Sequence, residues 1–78
     1  MAKTDSKTID KKLQKVLTEA RKAAGLTQVE AATHLRKPQS FVSKYETGER
    51  KLTVGDFLAV CEALEVKPVK ILDLVSKS

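Results

Sequence analysis

The chain holds few side chains able to make or break bonds, and their spacing does not assemble them. Cys61 and His34 are each the single residue of their kind, so a zinc site with a full Cys/His ligand set is not expected. A lone cysteine closes no disulfide within the chain, which fits a reducing compartment. No serine, histidine and acid set and no paired carboxylates remain once helix caps and polar helix faces are assigned. The sequence therefore predicts no catalysis, no metal and no cofactor. What it holds in quantity is positive charge: 15 Lys plus Arg stand against 10 Asp plus Glu, a net +5. That charge is uneven, with seven cations and three anions in residues 1–26, five and three in 27–52, and three and four in 53–78. A basic face of this kind suits a polyanion, either nucleic acid or an anionic membrane surface, and charge alone does not choose between them.

A length of 78 residues allows one small domain, which buries roughly 60–65% of its unfolded surface and leaves no room for a deep catalytic cavity. The hydrophobic fraction of 41% is enough for a folded core. The longest apolar run, Phe57 to Cys61, is far short of a membrane span, and the lysine-rich start lacks the apolar segment of a secretory signal. A cytoplasmic location without a membrane partner is expected.

The elements that must position the polar and basic residues read as helices throughout. Residues 1–8 are polar without an apolar period and read as a flexible basic arm, leaving 9–78 as the single domain. From Ile9, apolar residues at Leu13, Val16, Leu17, Ala20, Ala23 and Ala24 recur at helical spacing, and Gly25 ends the first helix. Thr27 to Glu30 forms a capping box for a second helix over 28–35, which Arg36, Lys37 and Pro38 interrupt. A third, half-polar helix covers 39–47 with Val42 and Tyr45 inward, and Gly48 closes it. A second cap at Thr53 starts a fourth helix over about 54–64, and Pro68 opens a fifth whose Val69, Leu72 and Val75 form one stripe with Ile71 beside it. No strand and no repeat is evident. The fold class is all-α, and the pair 28–35 and 39–47 around a three-residue turn has helix-turn-helix proportions.

The residues of that pair sharpen the reading. Arg21 to Gln28, then Ala31, Ala32 and Leu35, then Gln39-Ser40-Phe41-Val42-Ser43-Lys44-Tyr45-Glu46-Thr47-Gly48-Glu49-Arg50, continuing through Ala63 to Val66 and Ile71-Leu72, resemble the lambda repressor/Cro-like (Xre-type) DNA-binding family over about residues 13–74. The resemblance implies a compact five-helix bundle acting as a sequence-specific transcriptional regulator, a repressor or controller. It further implies a homodimer on a near-palindromic operator in double-stranded DNA, with the protein associated with the nucleoid. Carried over by position, it makes Gln39, Ser40, Ser43 and Lys44 base-reading residues, and their amide, hydroxyl and ammonium groups suit base edges. It makes Gln28 a phosphate contact that also braces the recognition helix, and it pairs Arg21 with Glu46 as a structural bridge beneath that helix.

Lys37, Arg50 and Lys51 flank the third helix as phosphate-binding candidates, with Arg36, Lys3 and Lys7 behind them, or else as ordinary solubilising charge. Phe41 stays open between packing inward, covering sugar and phosphate, and touching a thymine methyl. Arg36 departs from the glycine frequent in the family after the second helix, so the turn is expected to take a different path. Cys61 reads as a small core residue and His34 as a surface residue or phosphate contact. Val66, Val69, Ile71 and Val75 are candidates for a dimer contact. A protein-interaction module such as an antitoxin, with DNA binding secondary and its toxin partner unknown, is the rival reading. A peripheral membrane protein ranks last, because the first helix has lysines but no aromatic residue.

Overall fold

The computed structural model describes residues 5–77, in which five helices follow one another with no strand: α1 (Ser6–Ala23), α2 (Gln28–Leu35), α3 (Gln39–Thr47), α4 (Val54–Ala63) and α5 (Pro68–Ser76). α1 begins before Ile9 because Asp5 caps it. The Asp5 carboxylate accepts from the Lys7 amide at 3.0 Å and from the Thr8 hydroxyl at 3.3 Å, satisfying the first turn. Residues 6–8 of the expected arm are therefore helical and Asp5 is their cap; residues 1–4, Lys3 included, lie outside the described residues.

α2 and α4 start on matching boxes. Thr27 accepts from the Glu30 amide while the Glu30 carboxylate accepts from the Thr27 amide, and Thr53 and Asp56 repeat the exchange. These bonds together outweigh the opposing effect of burial. The Glu30 carboxyl is lowered chiefly by the Thr27 amide. At Asp56 burial pushes upward, but the Thr53 amide and hydroxyl and Arg50 together pull the group below its usual range.

Three helix ends close alike, by a left-handed residue followed by an amide that reaches back to an earlier carbonyl. Leu26 donates to Arg21 at 3.1 Å, Lys37 to Ala32 at 3.0 Å and Val66 to Cys61 at 2.9 Å. The left-handed residue is Gly25 in the first case but Arg36 (φ 57°) and Glu65 (φ 58°) in the others. The expected detour at Arg36 is not taken. A cost of about 1–2 kcal/mol for a side chain in that conformation is offset by the carbonyls satisfied there and by the packing of α3 that the turn directs.

α1 packs on α3 and α5, α2 on α3 and α4, and α4 on α5. Leu17, Val42, Tyr45, Val60 and Cys61 fill the centre, and burial pushes the Cys61 thiol up from its ordinary value, as befits a small core residue. α5 corrects the sequence reading: Ile71 and Val75 enter the core, whereas Val69 and Leu72 are 77% and 54% exposed. Ile71 and Val75 lie four apart and stack on one face, while a step of three repeated from Val69 drifts around the helix. Lys12 fixes the far end of this pairing by donating to the Lys77 carbonyl at 2.9 Å.

Candidate nucleic-acid interface

The site is built upward from one buried ion pair. Arg21, near the end of α1, donates through Nε to Glu46 Oε2 at 2.7 Å and through Nη2 to Oε1 at 3.2 Å, and its Nη1 reaches the Leu26 carbonyl at 2.8 Å. Both side chains are nearly shielded from water, and the carboxylate bond raises the arginine further above its ordinary value. The bidentate contact and the carbonyl satisfy charges that would otherwise be costly to bury. The bridge fastens α3 to α1 and to the turn before α2.

From Glu46 the polar chain runs outward. Gln28, the first residue of α2, donates to Glu46 Oε1 at 2.9 Å, and its own Oε1 accepts from Gln39 Nε2 at 2.7 Å. Gln39 opens α3 and is exposed, so the chain of bonds ends at the surface on an amide whose orientation is set from below. Its Oε1 and second N–H remain available to a ligand. Ser40 and Lys44 are exposed with it, and Ser43 is half-buried. No side chain caps α3, since Pro38 occupies that position, and the exposed Gln39 and Ser40 stand at the positive end of its dipole.

The flanking cations are disposed unequally. Lys37 Nζ lies 5.7 Å and Arg50 Cζ 4.8 Å from the centroid of the Phe41 ring. Arg50 also reaches Asp56 at 3.4 Å, while Lys51 is mostly free, with Asp10 at 3.8 Å. Phe41 itself is buried edge-on against Tyr45, its centroid 5.7 Å from that ring. Its inward packing was one of the possibilities the sequence left open; the pairing with two cations was not read there, although a lysine four residues before an aromatic is a legible signal. His34 stands exposed on the last turn of α2, beside Ala59 and Glu62 of α4, at the opposite end of that helix from Gln28. Among the described residues no group of His, Cys, Asp and Glu gathers as metal ligands, and no helix is long and apolar enough to cross a membrane.

A family model for helix-turn-helix proteins matches residues 17–71, spanning the ion pair, both helices around the turn and the start of α5. The chain belongs to the Xre-type helix-turn-helix family. This is a family of DNA-binding transcriptional regulators. Among solved structures, an XRE-family-like protein from Pseudomonas syringae pv. tomato str. DC3000 is 41% identical, with a TM-score of 0.86 over 90% of this chain and 85% of that one. The restriction-modification controller protein C.AhdI from Aeromonas hydrophila is 30% identical, with a TM-score of 0.72 over 77% of this chain and 91% of that one. The restriction-modification controller protein C.Esp1396I, solved as a tetramer in complex with its natural 35 base-pair operator, shares the fold at 24% identity, with a TM-score of 0.79 over 86% and 88%. No curated protein sequence matches the chain.

Proposed function

We propose that this Xre-type protein is a sequence-specific transcriptional regulator that binds double-stranded DNA with α3 in the major groove. Gln39, Ser40, Ser43 and Lys44 read base edges, and Gln28, Lys37, Arg50 and Lys51 hold the backbone. The observation that carries the reading is the bonded chain from Arg21 through Glu46 and Gln28 to Gln39. It orients an exposed amide that can make the paired bonds by which glutamine selects adenine, a discrimination of about 1–3 kcal/mol. The uncapped start of α3 and the adjacent cations supply the sequence-indifferent attraction to phosphate.

Two copies on a near-palindrome place two α3 helices about 34 Å apart, one DNA turn. Ile71 and Val75 are committed to the core, so the dimer contact falls to the exposed Val69, Leu72 and Leu74 of α5 with half-buried Val66. They lie in the third of the chain that carries least positive charge, where two basic molecules repel least. Replacing Leu72 and Leu74 by lysine should shift sedimentation toward monomer and weaken operator binding while leaving the helical circular-dichroism signal unchanged.

Selection of bound duplexes from a random pool, repeated with Gln39→Ala plus Lys44→Ala and titrated with salt, tests the function. An enriched palindrome that the double variant loses is the expected result. Binding that yields no motif and merely collapses with salt is backbone electrostatics and overturns sequence-specific reading by α3.

A further inference from the structure

Phe41 occupies the third position of α3, in the middle of the proposed reading surface, yet the residue is only 9% exposed. What it offers outward is a π-face covered by cations. Arg50 approaches to 4.8 Å and Lys37 to 5.7 Å of the ring centroid, both inside the range of about 6 Å in which a cation is attracted to the ring quadrupole. Arg50 belongs to the connection after α3, where such a side chain is ordinarily free to move. Here its amide donates to the Lys44 carbonyl at 3.1 Å, its guanidinium rests against Phe41 and one nitrogen reaches Asp56 at 3.4 Å, while 47% of its side chain stays exposed.

We propose that Phe41 is a positioning residue for DNA binding: its ring is the platform that holds Arg50, and with it Lys37, ready for the phosphates beside α3. The inference rests on the reading of α3 given above. A guanidinium carries its N–H donors in one plane, so covering its face leaves the donor edges for phosphate oxygens, and Asp56 occupies only one edge. Restraint before binding removes part of the side-chain entropy that an unsupported arginine loses on contact. Phe41 thereby acts on the backbone contacts through other residues and reads no base.

The test measures affinity of the full chain for a mixed-sequence duplex across a salt series, in the wild type, Phe41→Leu, Arg50→Ala, the double variant and Phe41→Tyr. Each lost phosphate contact should flatten the dependence of log affinity on log salt by about 0.9. Arg50→Ala should show that change. Phe41→Leu, which removes no charge, should flatten the slope in the same direction and lower affinity roughly two- to fivefold, the scale of an exposed cation–π contact. The double variant should behave as Arg50→Ala alone, and Phe41→Tyr, which keeps the ring, should keep the slope. A second measurement needs no DNA: in proton NMR of the free protein, Arg50 side-chain signals should be ring-shifted in the wild type and lose that shift in folded Phe41→Leu. An unchanged slope in Phe41→Leu, additive effects in the double variant, or unshifted Arg50 signals overturn the platform while leaving DNA reading by α3 intact. A wild type that binds no duplex overturns both.

Discussion

The pairs α2–α3 and α4–α5 are made by the same local rules and end with opposite surfaces. Each opens on a threonine box, closes its first helix on a left-handed residue that is not glycine, and continues into a helix of nine residues. α3 is then tied down by ionic and amide bonds and presents amide, hydroxyl and ammonium groups; α5 is held by Ile71 and Val75 and presents Val69, Leu72 and Leu74. Caps and turns thus determine where a helix lies, while its long-range partners determine what it shows to solvent. Arg21 is that partner for α3, and nothing comparable stands under α5 among the described residues.

The largest test of this contrast removes Glu46. Glu46→Ala leaves Arg21 buried without its counter-charge and should cost about 3–5 kcal/mol in urea unfolding; a loss near that of an exposed pair would mean α3 does not depend on the bridge. Next comes Tyr45, whose buried hydroxyl finds no hydrogen-bond partner among the described residues. Tyr45→Phe should stabilise by about 1–2 kcal/mol at neutral pH, because an unsatisfied hydroxyl no longer has to be desolvated. Burial, with Glu46 adding, pushes the phenol from 10.0 up to about 12. A value raised in the folded state means that the protonated group's contribution is complete below pH 10 and fades as pH rises toward 12. Stability measured across that interval should fall more steeply in the wild type than in Tyr45→Phe.

Smaller effects ask whether the two pairs are locally equivalent. Thr27→Ala and Thr53→Ala should each cost about 1 kcal/mol, and a marked inequality would break the equivalence. The lowered carboxyls of Glu30 and Asp56 contribute stability that is present above their ordinary 4.5 and 3.8 and is lost as pH falls through the lowered values. Acid titration should therefore narrow the gap between each threonine variant and the wild type. The smallest change is expected from Arg36→Gly and Glu65→Gly. Relief of the left-handed side chain is partly cancelled by glycine's greater chain entropy, leaving a gain of about 0.5–1 kcal/mol in thermal unfolding.

The helix limits were legible because boxes, glycines and prolines act within a few residues, and such signals survive in the sequence. α2 and α3 lie where the capping box at Thr27, the break at Pro38 and Gly48 put them. The start of α1 is not legible from periodicity, because Asp5 caps a first turn that has no apolar period. The α5 face was missed because Val69, Leu72 and Val75 fit a step of three, and only the positions of α1 and α4 select Ile71 with Val75 instead. At the site, residue types and, through the resemblance, the Arg21–Glu46 pair are legible in the sequence, but the order of bonds beyond that pair is not. That Gln28 stands between Glu46 and Gln39, and that Phe41 faces Arg50, are distances between residues nine to eighteen positions apart.

The order of that chain of bonds also bears on how such a protein acquires new targets. Gln39 is the terminal link and exposed, so under the proposed function exchanging it, or Ser40 or Lys44, would change what is read while Arg21, Glu46 and Gln28 keep their mutual bonds. Gln28 is a middle link, bonded to Glu46 on one side and Gln39 on the other, so its exchange would disturb the support of α3 and the proposed reading together. On that proposal, a different operator preference would be reached through the outermost positions one substitution at a time, whereas an exchange at the inner ones would cost folding as well.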